Sequence, residues 1–240
     1  MELKGKTALV TGGSDGIGLA IARQLMVKGV TVIICGRREE ILISARQEGI
    51  EAVAADLSNA EGCADLATAL AGRDLDILVN NAGMSGNFGP GEPLDLALTD
   101  MAIFLNLNAP LHLIGHLLPS LLKRPEASIV NVTSGLAIAP RAGGPVYCAT
   151  KAALRSFTQS LRHNLRDTKV HVIEALPPVV DTAMTRGRAQ GKKMSAQDCA
   201  AKIVDAIVTN APEANVGMVK LLRLAYSISP ALARRIMIQF

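Results

Sequence analysis

The chain predicts a Rossmann-type topology in the generic sense: a doubly wound parallel α/β sheet, three layers (α/β/α) deep, in a single domain over residues 1–240. Three observations lead there. Short aliphatic or β-branched runs alternate with helical stretches from the first residues onward. Aromatics are only 2% of residues, with no tryptophan, so the core must be aliphatic, as in parallel strands covered by helices on both faces. No Gly/Ser-rich or Pro-rich linker and no repeat of solenoid length interrupts the alternation.

In order, strands are expected at residues 7–11, 31–35, 51–55, 76–80, 128–133 and 170–175. Helices are expected at 17–27, 39–47, 59–70, 99–122 and 147–167. Each connection is long enough for a right-handed βαβ unit. Ser195 and Asp198 then cap a helix reaching about residue 208, and residues 215–220 read as a reduced seventh strand.

Charge and cysteine content narrow the function classes. The net charge of +4 and pI near 9.0 describe a mildly basic surface, and no basic run interleaves with aromatics, so nucleic acid is not an expected partner. Cys35, Cys63, Cys148 and Cys199 are scattered without a C-x-x-C pair and read as free thiols of a reducing compartment. Residues 1–6 are polar and lead into a strand, so no signal peptide is expected. No apolar run reads as long enough to cross a bilayer, and the cytoplasm is the expected location.

The first strand ends in Thr11-Gly12-Gly13-Ser14-Asp15-Gly16-Ile17-Gly18, and a helix follows at once. Small residues there let backbone approach a pyrophosphate, and the helix N-terminus offers free N–H groups and a favourable dipole. The spacing is G-x-x-x-G-x-G, and on its own it also suits a tight turn. The second strand then bears on cofactor choice. A carboxylate at its end would hold a ribose 2′-hydroxyl; this chain has Cys35-Gly36-Arg37-Arg38, and paired guanidiniums suit a 2′-phosphate. NADP(H) is therefore expected over NAD(H), although Asp15 opposes a phosphate.

Tyr147-Cys148-Ala149-Thr150-Lys151 opens a helix, so Tyr147 and Lys151 share a face at i and i+4. A free tyrosine, with a pKa near ~10, is a poor proton carrier at neutral pH, and an adjacent cation lowers that pKa. Tyr147 is thus a candidate acid/base. Ser134 lies just past the strand at 128–133, at the carboxyl end where such sheets place ligands, and can hold a substrate oxygen beside it.

Taken together, Thr11 to Gly18, Asp56-Leu57, Asn80-Asn81-Ala82-Gly83, Ser134 and Tyr147-x-x-x-Lys151 resemble the short-chain dehydrogenase/reductase family, in its compact single-domain branch. The resemblance runs from about residue 4 to residue 208. It implies hydride exchange between a nicotinamide dinucleotide and a carbonyl or alcohol. Tyr147 would be the acid/base, Ser134 would orient the substrate oxygen, and Lys151 would hold the nicotinamide ribose while depressing the Tyr147 pKa. Of Asn106 and Asn108, the family's spacing to Pro119 selects Asn106, which would hold a water in a relay to Lys151. Asp56 would bond the adenine, with Leu57, Asn81, Ala82 and Gly83 beside the cofactor. After the sixth strand, Pro177, Val180 and Thr182 match cofactor-contact positions, whereas Pro178 replaces the family's glycine. A homodimer or homotetramer is implied as well. The alternatives are the same chemistry with NAD(H), or a sensor or scaffold that binds NADP(H) without turnover.

The resemblance thins toward the end. Residues 183–194, with Arg186, Arg188, Lys192 and Lys193, are expected to form a mobile substrate lid, more a solvated loop than an acid-recognition element. Residues 215–240 form an atypical apolar extension carrying Arg223, Arg234 and Arg235 and divided by Pro230. Packing in an oligomer is its expected role, ahead of covering the substrate mouth or lying on a membrane. His112 and His116 have metal-ligand spacing but no third ligand nearby, so no metal is expected.

Overall fold

The computed structural model describes residues 1–86, 93–187 and 193–239. Seven strands join one all-parallel sheet in the order β3-β2-β1-β4-β5-β6-β7. They are β1 (Thr7–Thr11), β2 (Thr31–Gly36), β3 (Glu51–Ala54), β4 (Ile77–Asn80), β5 (Ala127–Val132), β6 (Val170–Leu176) and β7 (Glu213–Asn215). The chain moves outward from β1 through β2 to β3, then returns to place β4 on the other side of β1. That reversal opens a crevice at the carboxyl ends of β1 and β4, where doubly wound sheets bind ligands.

Alternation along the strands divides the core. Ala8 and Val10 face one layer, which holds α1 (Gly16–Val27), α2 (Glu39–Gln47) and α7 (Ala196–Thr209). Leu9, between them, faces the other, with α3 (Ala60–Ala69), α5 (Ala109–Leu121) and part of α6 (Pro145–Asn164). The sixfold run of buried residues in β5, Ala127 to Val132, is the signature of a strand covered on both faces. Packing α1 on α7 and α3 on α5 completes the three layers.

Three expectations need correction. The seventh strand is Glu213–Asn215 rather than 215–220: Gly217, at φ +56°, turns the chain, and Val219 already begins α8 (Val219–Ile228). The helix expected over 99–122 is α4 (Leu96–Ile103), a π-helical turn at Phe104–Asn108, and α5. Together they run Leu96–Leu121, 26 residues that include an 18-residue window of mean hydropathy 1.4, long and apolar enough to cross a bilayer by length and composition. The sequence reading missed this because Asn106, Asn108, His112 and His116 break the apolar run. Those polar residues also show why it is a core helix: Leu113, Leu117 and Leu121 pack onto the sheet, and Asn106 is fully buried among polar partners.

Candidate active site

The glycine loop is shaped by close approaches. A Cβ on Gly18 would sit 2.4 Å from the Gly12 carbonyl oxygen and 2.5 Å from Asn81 Nδ2, so only glycine fits where helix meets loop. Gly12, at φ +61°, occupies the left-handed region and lies against Ala82. Asp15 caps α1, its Oδ1 accepting from Gly16 N at 2.7 Å, and the amides of the first helical turn that follow have no intrahelical acceptors. Thr11 ties the loop to β4: its Oγ1 accepts from Asn81 N at 2.9 Å and Ala82 N at 3.0 Å. Asn81 Nδ2 returns a bond to the Thr11 carbonyl at 3.0 Å. Thr11 opens the glycine motif but lies outside the set of site residues expected from sequence, because its bonds to Asn81 and Ala82 run across the fold.

A cleft of about 430 Å³ runs from this loop across the sheet edge. It is lined by Gly12, Ser14, Asp15, Gly16 and Ile17, by Arg37, Arg38, Asp56 and Leu57, and by Asn81, Ala82 and Gly83. Ser134, Tyr147, Lys151, Pro177 and Val180 line it as well, and so does Thr182, which lies against Gly16. Two expected residues do not line it: Gly18 is buried beneath the loop, and Asn106 lies behind Gly83. Leu105, Val132, Pro178 and Met184 line it without having been expected. Pro178 leaves the backbone path workable, since Gly135 N still reaches the Pro177 carbonyl at 3.1 Å. The fit to a dinucleotide rests on the glycine cradle, which a Cβ at Gly12 or Gly18 would fill, and on the helix N-terminus beside it, features that suit a pyrophosphate.

At the far end each side chain is held. Asn106, in the π-helical turn, places Oδ1 2.8 Å from Met84 N and donates from Nδ2 to Met84 O at 2.8 Å and to Thr150 Oγ1 at 3.1 Å. Asn108, the other candidate, is only half-buried. Lys151 Nζ donates to the Val132 carbonyl at 2.8 Å and lies 5.7 Å from the centroid of the Tyr147 ring. Gly83 separates Lys151 from Asn106: a Cβ there would lie 2.9 Å from Asn106 Oδ1 and 3.6 Å from Lys151 Nζ. Ser134 Oγ accepts from Leu136 N at 3.1 Å, fixing the turn after β5.

Burial dominates the electrostatics. It pushes the Tyr147 hydroxyl up to about 12, with the Ser134 hydroxyl and the Arg141 cation working in the opposite direction. Desolvation also lowers Lys151 from 10.5 to about 8. For the protein chain alone the expected depression of Tyr147 by Lys151 is therefore corrected, because burial of the phenol outweighs the groups that lower it and Lys151 donates to the Val132 carbonyl instead. As a residue Tyr147 is partly buried and lines the cleft. Arg141 is a second unexpected participant; its Nε is buried without a hydrogen-bond partner.

At the opposite end Arg37 Nη1 lies 4.0 Å from Asp56 Oδ1, with both side chains largely exposed. Of the lid residues, Lys193 Nζ donates to the Thr185 carbonyl at 2.7 Å, whereas Arg188 and Lys192 lie outside the described residues. Among the described residues no group of three or more His, Cys, Asp or Glu side chains could hold a metal ion.

A parallel sheet with its crevice at the β1/β4 reversal, a glycine cradle, and a Ser, Tyr and Lys converging on one cleft define a dinucleotide-dependent oxidoreductase. The chain belongs to the short chain dehydrogenases: the family's model matches residues 6–193. It is 47% identical over 193 residues to the uncharacterized oxidoreductase DltE of Bacillus subtilis (strain 168), covering 78% of this chain and 76% of that one. It is 35% identical over 192 residues to serine 3-dehydrogenase of Agrobacterium fabrum (strain C58 / ATCC 33970), covering 78% and 77%. A crystal structure of a short chain dehydrogenase from Burkholderia cenocepacia J2315 in complex with NADP superposes with a TM-score of 0.89 at 25% identity over 100% of both chains. The protein is thus an NAD(P)-dependent dehydrogenase/reductase acting on CH–OH or C=O groups.

Proposed function

We propose that this oxidoreductase uses NADP(H) to reduce a small-molecule carbonyl to an alcohol, or to run the reverse, with Tyr147 as acid/base. The observation that carries the reading is the convergence of Ser134, Tyr147 and Lys151 at one end of a cleft whose other end presents Arg37 and Arg38. When bound, the dinucleotide supplies or accepts the hydride. Gly12, Ser14, Asp15, Gly16 and Ile17 would hold its pyrophosphate, Arg37 and Arg38 its 2′-phosphate, and Asp56 and Leu57 its adenine. Asn81, Ala82 and Gly83, with Pro177, Val180 and Thr182, would line the remainder.

The chain's own part is proton management. The Ser134 hydroxyl holds the substrate oxygen, and the Tyr147 hydroxyl donates its proton to that oxygen as it gains negative charge. With Tyr147 held near 12, the phenol is protonated at neutral pH, which favours reduction; alcohol oxidation should accelerate as pH rises toward that value. Lys151 would hold the nicotinamide ribose and return a proton toward Tyr147. Asn106 fixes the Met84 segment and would hold a water in the relay to Lys151.

Residues 183–194 would act as the lid over the substrate. Cytoplasmic residence is supported by four free, buried cysteines. Assembly as a dimer or tetramer is supported by outward apolar side chains on and before α4, among them Leu96 at 70% exposure. A second reading, NAD(H) in place of NADP(H), is favoured by the Arg37–Asp56 contact, which draws part of the cationic charge away from a phosphate.

Calorimetric titration of the purified protein with NADPH and then NADH tests the proposal. Tighter NADPH binding is expected; tighter NADH binding would replace the first reading by the second, and binding of neither would remove both.

A further inference from the structure

Residues 214–240 contain Lys220, Arg223, Arg234 and Arg235 and no Asp or Glu. The whole chain has 25 Lys+Arg and 21 Asp+Glu, so taking away these four cations leaves 21 of each sign in residues 1–213. The entire net charge of +4 resides in the last segment.

That segment folds as α8 followed by α9 (Pro230–Met237), with Ser229 capping α9. Its inner side is anchored. Val219 and Leu222 approach Gly135, and Ala142 N donates to the Ile238 carbonyl at 3.2 Å. Its outer side is apolar. Leu221, Leu224 and Ile228 stand at i, i+3 and i+7, one face of a helix, and are 57%, 58% and 77% exposed. Leu232 and Ile236, at i and i+4 on α9, are 57% and 48% exposed. Among the described residues Lys220, Arg234 and Arg235 face no carboxylate within ion-pair distance, whereas Arg223 pairs with Glu213. Arg234 lies over the Tyr226 ring, 5.4 Å from its centroid.

Two occupants would cover such a face. A second copy paired about a twofold axis would set the same patch against itself, bringing cations to cations with no carboxylate in the segment to offset them. An anionic lipid surface meets both features, since apolar side chains enter the headgroup boundary while cations rest on phosphates. We propose that the α8–α9 hairpin docks this oxidoreductase peripherally on an anionic lipid surface. Neither helix is long enough to span a bilayer, at 10 and 8 residues. Because Gly135 follows Ser134 directly, docking would bring the lipid surface beside the catalytic segment. The inference is independent of which dinucleotide the cleft binds.

Co-sedimentation of the full-length protein with vesicles provides the test. We expect binding to phosphatidylcholine vesicles containing about 30 mol % phosphatidylglycerol and little to pure phosphatidylcholine. Binding should weaken several-fold as salt rises from about 0.1 M to about 1 M, where the screening length drops from about 10 Å to about 3 Å. Arg235→Ala should weaken it roughly fivefold, the effect of one interfacial cation. Leu224→Ser with Ile228→Ser should abolish it while leaving circular dichroism and NADPH binding unchanged, because both side chains point outward. Absence of vesicle binding, or equal binding to both compositions, would overturn the proposal. So would light scattering that shows a dimer dissociated by the double variant without any lipid binding.

Discussion

The two ends of the cleft are built on different physical terms. At the Ser134–Tyr147–Lys151 end, Asn106 and Lys151 are 0% and 4% exposed, and their side-chain polar atoms are held by partners in β5, α6 or the Met84 segment. At the β2–β3 end the Arg37 and Asp56 side chains are 63% and 47% exposed and meet at only 4.0 Å. Proton transfer gains from a low-dielectric setting in which donors are fixed before the substrate arrives. Discrimination between a phosphate and a hydroxyl needs only surface charge, and surface charge acts weakly in water. Substitutions at the first end should therefore change rate and stability steeply, and those at the second should shift affinity mildly.

The steepest test is Tyr147→Phe. Removing the only hydroxyl proposed to carry the proton should lower kcat by about 10³-fold, within the range for general acid catalysis, while NADPH affinity stays near that of the wild type. Steady-state kinetics with fluorescence titration separates the two. A loss below tenfold would place the acid/base elsewhere and dissolve the contrast between the ends.

Arg155→Ala examines whether burial matters as strongly beyond the cleft. Arg155 Nη1 lies 2.6 Å from Glu174 Oε2, whose side chain is fully buried, and Glu174 Oε1 accepts from Thr133 Oγ1 at 2.8 Å, one residue before Ser134. Deleting the guanidinium strands a buried carboxylate and should cost about 3 kcal/mol in urea unfolding. A cost under about 0.5 kcal/mol would show that water reaches Glu174.

Lys151→Met should move stability the other way. The Lys151 pKa falls from 10.5 unfolded to about 8 folded, so below pH 8 the native state carries a desolvated ammonium that the unfolded chain does not. At about 1.4 kcal/mol per pKa unit, less about 1 kcal/mol for the lost bond to Val132, the variant should be more stable by about 2 kcal/mol at pH 7. Between pH 8 and 10.5 the unfolded chain binds more protons, so wild-type stability rises with pH and the advantage of the variant shrinks. Turnover should collapse throughout. A variant destabilised at pH 7 would mean that Lys151 is solvated in solution.

These contrasts also explain what could be read from the chain. The order of strands and helices was legible because β1, β2, β4 and β5 are short and mostly apolar or β-branched, with Asn80, Ser128 and Asn131 as the polar interruptions. The site was legible because Gly12, Gly18, Ser134, Tyr147 and Lys151 lie at sheet edges and helix starts that local sequence identifies. The partners beneath them were not. Thr11, Thr150 and the Val132 carbonyl act through contacts across the fold, and although Thr11 and Thr150 sit inside the quoted motifs, local sequence does not show what they bond. The Tyr147 shift was misjudged in sign because the i, i+4 spacing records the nearby cation but not the desolvation around it. The seventh strand was misplaced because three residues, Glu213–Asn215, give too short a pattern, and Gly217 moved the boundary.

The mildest test returns to the exposed end. Arg37→Ala should weaken NADPH binding about fivefold and leave NADH binding unchanged, since a guanidinium 63% exposed and shared with Asp56 acts through screened charge. Titration at low and high salt sharpens the reading, because a solvated contact should lose most of its effect as salt rises. If the loss exceeded about a hundredfold, Arg37 would be making a desolvated, bidentate contact to the phosphate in the complex. Cofactor binding would then dry the β2–β3 end as thoroughly as the fold dries the end at Lys151, and the difference between the two would belong to the free protein alone.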